Sequence, residues 1–353
     1  MLDCVRRQAG GATLKNKQQG LMDRQAERGK TALIVLGMHR SGTSATTGAL
    51  QCLGVQLGRN LYAGHRDINA RGYFEHGDIA DANDEALQAL GSSWDDVLLK
   101  DDGWWRRECL APYAKTIRKV IRRDFAKSRL WAVKDPRVCR LLPWWLEILA
   151  AEGITPYFLF VLRAPADVFR SLERRDGFSE EKAALLWTLH YLEAEFWTRG
   201  RPRAFMDYDA FVDAPQASVE HVARELGLDF PTSPAAATEC LAGLITPELR
   251  HHRAAASLHG GTAVTDLARQ LHRLLLEAVE HGADRLDTRR LDALQQGIRA
   301  IQGTYPASLV EHLRDTAKSR GGLRLTLNKV MRSWSWVTGK PVRAIERGLG
   351  RDV

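Results

Sequence analysis

Apolar residues along this chain fall into two kinds of pattern. Short unbroken runs, TALIVLG (31–37), RLWAVKDP (129–136), TPYFLFVLRAP (155–165) and PRAFMDY (202–208), each stop at a glycine, a proline or a polar turn. Runs of this length bounded by turn residues predict strands covered on both faces of a parallel sheet. Between them the apolar spacing becomes helical. Ala45, Ala49, Leu50 and Leu53 follow the first run, and ADVFRSLERR follows the third, where Pro165 suits the first turn of a helix. Alternating strands and helices predict an α/β fold, a P-loop-type parallel sheet flanked by helices, with ligands bound beyond the carboxyl ends of the strands.

The two ends of the chain read differently. Residues 1–30 are polar, rich in Gln, Lys and Arg and without periodicity, the composition of a disordered basic leader. Residues 31–255 hold the strands and read as the sheet domain. Residues 256–322 read as a mostly helical C-terminal extension, with TDLARQLHRLLLEAVEH its strongest amphipathic stretch. Residues 323–353 form a basic tail carrying Trp334 and Trp336, a mixture suited to touching a membrane surface or a partner. The chain shows no internal repeat.

Charge changes the picture only once it is located. The net charge of +8 suggests nucleic acid until the first 30 residues are seen to hold +4 and the last 31 to hold +5, which leaves −1 for everything between. The middle therefore gives no electrostatic reason to expect nucleic acid. The five cysteines lie far apart with no C-x-x-C pair, so neither a disulfide framework nor a zinc site is expected, and a reducing cytoplasm fits. No apolar run reaches the length of a membrane span and none at the N-terminus could serve as a signal core.

Candidate chemistry collects at the predicted strand ends. In LGMHRSGTSATT, Gly37 and Gly42 keep the spacing of a phosphate loop, but Thr43 stands where such loops carry lysine. Amides between a strand and a helix N-terminus can hold an anion without that lysine, and Arg40 adds a forked cation; Ser41, Thr43 and Ser44 add hydroxyls. The missing lysine counts against triphosphate chemistry. Arg163 closes the third strand, and Ser171 lies about two turns into the next helix, a possible second anion site if the loop folds back. Lys134, at the end of the second strand, could stabilise charge on a group in transfer. Asp135 admits a reading as a magnesium-binding acid of a kinase, beside a plain ion pair with Arg137 or Lys134. Glu75 and His76 are both candidates for a general base. Trp104, Trp105, Trp144 and Trp145 could stack on a sugar or serve as packing.

Taken in order, LGMHRSGTSATTGAL, NARGYFE, VKDPR, VLRAPADVFRSL and FMDYDAFVDAP resemble the PAPS-dependent sulfotransferases, in particular a bacterial branch similar to the tyrosylprotein sulfotransferases. The resemblance covers about residues 31–253 and includes PELRHHR near its end. It implies that His39, Arg40, Ser41, Gly42, Thr43 and Ser44 bind the 5′-phosphosulfate of PAPS. Arg163 and Ser171 would hold the 3′-phosphate, and Tyr208, with Trp187, would lie near the adenosine. It also implies Glu75, Lys134 and Arg40 as the catalytic residues, with no metal required. The cytosolic members place a lysine in the first loop and use a histidine base, so Glu75 and His76 both remain open here. RSWSWVTGKPVR resembles connecting segments of bacterial polysaccharide glycosyltransferases and points to a carbohydrate or surface glycan as the hydroxyl acceptor. The alternatives are a P-loop kinase or another nucleotide-dependent phosphotransferase, and a non-enzymatic nucleotide-binding module.

Overall fold

The computed structural model describes residues 30–62, 74–245, 262–316, 318, 319 and 322. The expected leader (except Lys30), the 255/256 boundary and the tail at 323–353 lie outside the described residues. The four apolar runs are four strands: β1 (Thr31–Leu36), β2 (Leu130–Lys134), β3 (Thr155–Leu162) and β4 (Arg203–Asp207). Helices α1 (Thr43–Cys52), α2 (Gly77–Ala89), α3 (Ala111–Asp124), α4 (Val138–Ala151), α5 (Pro165–Asp176), α6 (Glu180–Thr198), α7 (Tyr208–Asp213), α8 (Pro215–Leu226), α9 (Thr238–Leu244), α10 (Ala263–His281) and α11 (Thr288–Gly303) complete the elements.

The strands form one parallel sheet in the order β2-β1-β3-β4. β1 is central and buried along its whole length, which is why its sequence carries no polar alternation. Its side chains nevertheless separate by parity. Ala32, Ile34 and Leu36 enter one core with α2, α4, α6 and α10, whereas Leu33 and Val35 enter a second core with α1 and α8. Register then fixes the exits. Val35 is paired with Lys134, Leu36 with Phe160 and Leu162 with Asp207, so the chain leaves β1, β2, β3 and β4 along one edge.

Local signals set the helix ends. Pro165 stands in the first turn of α5, Gly177 ends it in the left-handed region, and Ser179 caps α6 by accepting from the Lys182 amide. Thr262 and Thr265 form a reciprocal cap on α10. Ala268, Leu271, Leu275 and Ala278 of α10 recur at three- and four-residue intervals and are almost completely buried in the first core. The amphipathic stretch read from the sequence is therefore a wall of the sheet's own core. Among the described residues no helix is long and apolar enough to cross a membrane.

One expectation fails here. Cys52 and Cys240, 188 positions apart along the chain, form a disulfide, with their Cα atoms 5.7 Å apart. Sequence spacing hides the pair because it is made by the meeting of two helix surfaces: α9 packs across α1, with Leu244 against Gly48. Cys109 is exposed and Cys139 is buried, both unpaired with each other or a third cysteine.

A crosslink over so long a loop removes much unfolded-state entropy, so Cys52→Ser should lower stability by about 2–5 kcal/mol in non-reducing urea titrations. Cys109→Ser, on the surface, should change it by less than about 0.5 kcal/mol.

Candidate active site

The loop after β1 is shaped by two glycines. A Cβ on Gly37 would press on the Thr43 methyl, the Val161 carbonyl and the Tyr191 hydroxyl. Gly42 has φ 86° and caps α1, and a Cβ there would run into the Tyr208 ring. Arg40 also holds a positive φ, 69°, which turns the loop so that its side chain leaves toward α5. Beneath the loop, the Gly37 amide donates to Cys139 Sγ at 3.3 Å, and burial pushes that thiol up to about 12, so it is a packing group. Tyr191 donates to the Val161 carbonyl at 2.5 Å, tying α6 to β3 directly behind the loop.

Residues far apart in sequence meet at the rim of this loop. Arg40 Nε donates to Ser171 Oγ at 2.7 Å, and Arg163 Nη1 donates to the Arg40 carbonyl at 3.0 Å. The Arg163 guanidinium lies 5.0 Å from the centre of the Tyr208 ring. The chain does fold back, and Arg40, Arg163, Ser171, Gly42 and Tyr208 share one surface. Burial raises the Tyr208 hydroxyl, while the charges of Arg163 and Arg40 act in the opposite sense. Ser41 and Thr43 are buried in the loop, Ser44 is half-buried at the start of α1, and the His39 ring packs on Trp94 with centroids 4.4 Å apart. The positive end of α1 points at the same surface, and no carboxylate lies between His39 and Ser44. An oxyanion is what this surface can hold.

A second group stands at the end of β2. Lys134 Nζ donates to Glu75 Oε1 at 2.7 Å, and both side chains are shielded, 3% and 11% exposed. Phe74, just before Glu75, has φ 51° and turns the acid inward. The other Glu75 oxygen lies 3.8 Å from Arg137 Nη1. Arg137 is itself held by Asp135 at 2.8 Å and by both oxygens of Asp84 at 2.5 and 2.9 Å. Asn83 donates to Asp135 at 2.8 Å and accepts from the Trp145 indole at 2.9 Å. Both Asp135 oxygens are thus engaged, one by Arg137 and one by Asn83, and the residue is completely buried as an ion-pair partner.

Glu75 and His76 are separated by the same geometry. His76 Nε2 is 2.8 Å from Asp124, and the ring is 1% exposed, packed against Phe125 and Gly58. Hydrogen bonds from Arg123, His76 and the Arg59 amide hold the Asp124 carboxyl well below the usual range despite its burial. His76 is committed to this anchor, and Glu75 is the candidate base that meets a cation. The tryptophans divide likewise. Trp187, Trp144 and Trp145 are buried in the core, so Trp187 is not an adenosine wall, and Trp104 is nearly as enclosed. Arg137, Asn83 and Asp84 were missed as site residues. The available signal was Asn83, a polar side chain on the apolar face of α2.

No protein-family model matches the chain, and no curated protein matches it. Among solved structures, the sulfotransferase domain of the Synechococcus PCC 7002 olefin synthase is 16% identical over 70% of this chain and 94% of its own, with a TM-score of 0.41. The sulfotransferase domain of the curacin biosynthetic pathway is 15% identical over 85% of this chain and 98% of its own, with a TM-score of 0.33. A sulfotransferase of Mycobacterium tuberculosis H37Rv is 12% identical over 65% of this chain and 75% of its own, with a TM-score of 0.37.

Removing Arg137 would strand Asp135 and Asp84 as buried charges, so Arg137→Ala should cost about 3–5 kcal/mol in urea unfolding, and Arg137→Lys less. Asp124 ionises at lower pH in the folded chain than in the unfolded one, so its contribution is complete above about pH 4 and is lost as pH falls below it. Asp124→Asn should flatten that part of the stability–pH curve, read from urea midpoints.

Proposed function

We propose that this protein transfers a sulfonyl group from PAPS to a hydroxyl, most naturally on a carbohydrate or surface glycan, without a metal ion. The observation that carries this reading is the joint placement of two things. One is a phosphate-type loop with no lysine, lined by Arg40 and joined to Arg163 and Ser171. The other is the shielded Lys134–Glu75 pair, 2.7 Å apart at the end of the strand beside β1.

Each residue then has a chemical task. The loop amides, Ser41, Thr43, Ser44 and Arg40 cradle the 5′-phosphosulfate at the positive end of α1. Arg163 and Ser171 hold the 3′-phosphate, and Tyr208 flanks the nucleoside, a close fit that requires glycine at 42. Glu75 takes the proton of the acceptor hydroxyl as its oxygen bonds to sulfur. Lys134 and Arg40 stabilise the charge that grows on the sulfonyl and bridging oxygens as the bond between sulfur and the donor's 5′-phosphate oxygen breaks. Adenosine 3′,5′-bisphosphate leaves. In the free chain Lys134 and Glu75 satisfy each other. An anionic donor competes for Lys134, and the carboxylate it releases is the base.

The near-neutral middle of the chain gives nucleic acid no part in this scheme, and we assign the tail at 323–353 a peripheral contact with a membrane or a partner.

Adenosine 3′,5′-bisphosphate should raise the melting temperature in the presence of a chelator; stabilisation by Mg-ATP alone would overturn the assignment in favour of a kinase. Glu75→Gln and Lys134→Ala should each lower kcat by at least about 100-fold while leaving bisphosphate affinity within a few-fold. Arg163→Ala should instead weaken bisphosphate binding by roughly 10-fold or more, measured by calorimetry.

A further inference from the structure

At the opposite end of α2 from Glu75, about 20 Å along the helix, lies a cavity of about 110 Å³ lined by Ser92, Asp96, Lys100, Trp104, Arg107 and Arg314, among others. Its wall joins the loop after α2 to the helical residues 307–316. Gln302 of α11 ties the same loop, accepting from the Leu99 amide and donating to the Val97 carbonyl, each at 2.8 Å.

The anomaly is Lys100. Its Nζ stands 5.3 Å from the centre of the Trp104 ring and makes no hydrogen bond to any described residue. Carboxylates are close by, yet each is engaged elsewhere. Asp96 accepts from Ser92 Oγ at 2.7 Å and from the Leu98 amide at 2.9 Å. Asp101 is shared by Arg107 at 2.9 Å and Arg314 at 3.1 Å. Glu193 pairs with Arg140 at 2.9 Å, and the remaining Arg140 nitrogens donate to the Asp96 and Leu98 carbonyls. Lys100 is half-buried, and its ammonium, with three donor hydrogens and no acceptor among the described residues, faces this cavity. Burial first, then the charge of Arg140, pushes this amine down to about 8, against the opposing pull of Glu193 and Asp96. Arg107 and Arg314 each have five donor hydrogens and spend only part of them on Asp101. Three cations, Lys100, Arg107 and Arg314, line the cavity against two carboxylates, Asp96 and Asp101.

We propose that this cavity is a second anion site, separate from the loop after β1, which takes one small oxyanion, a carboxylate, sulfate or phosphate group, on Lys100 Nζ with Arg107 and Arg314 at its rim. Its volume suits a group of that size. An anion seated there also bridges the loop after α2 to Arg314, and so fastens the C-terminal helices to the sheet domain.

The test is the acylation rate of Lys100 in the full chain, read by mass spectrometry at pH 8 against the other lysines. Sodium sulfate and sodium acetate are compared with sodium chloride at matched ionic strength. An anion that lifts the amine by one pH unit cuts its neutral fraction about five-fold, so Lys100 alone should be protected about five-fold by sulfate, acetate or both. Protection should weaken in Arg314→Ala, on the open rim, and persist in Arg40→Ala, which impairs the loop after β1. A Lys100 rate unchanged by either anion overturns the proposal, as does protection that vanishes in Arg40→Ala.

Discussion

β1 is hydrogen-bonded on both sides and covered on both faces, and the rest of the molecule follows from that position. A strand so placed has no freedom to slip, because a one-residue shift would exchange Leu33 and Val35 for Ala32, Ile34 and Leu36 between two differently shaped cores. Its parallel partners on either side must then end at the same edge. That is how Gly37, Lys134 and Arg163, spread over 126 positions in sequence, come to leave the sheet as neighbours. The backbone ladder does the long-range work, and the side chains need only local corrections: a positive φ at Arg40, one at Phe74 and a glycine at 42.

The charged groups at that edge fall into two arrangements of opposite character. Around the loop, Arg40 donates to the Ser171 hydroxyl and Arg163 to the Arg40 carbonyl. Around β2, each cation meets a carboxylate: Lys134 with Glu75, Arg137 with Asp135 and Asp84. The first arrangement joins strand ends through hydrogen bonds, and the second is a closed network of ion pairs in which Asn83 and Trp145 lock Asp135 in place.

Much of this was legible from the chain alone. The four strands, the loop and the amphipathic α10 follow from apolar runs, glycine spacing and helical periodicity, whereas the meeting of Arg163 and Ser171 with the loop depends on how the chain turns back after β3. The different surroundings of Glu75 and His76 were not legible, because His76 meets Asp124, 48 residues away and visible as a partner only when α3 packs beside α2. The ion pair of Asp135 with Arg137 was among the readings of the chain, but Asp84, the second acid on Arg137, was hidden because it comes from α2. The disulfide was hidden by distance, since helical periodicity says which face of α1 carries Cys52 but not that α9 lies upon it. Trp187 failed in the other direction, where an aromatic residue in the right region proved to be core.

The Cys52–Cys240 link has a topological effect distinct from its stabilisation. It closes a covalent ring through α1, β2, β3, β4 and α9, while β1 and α10 stay outside it. A protease that cuts once anywhere between residues 52 and 240 therefore releases nothing: the two pieces remain one molecule until a thiol opens the ring. A nick that is invisible on a non-reducing gel and appears as two bands on a reducing one is the signature of that closed circuit.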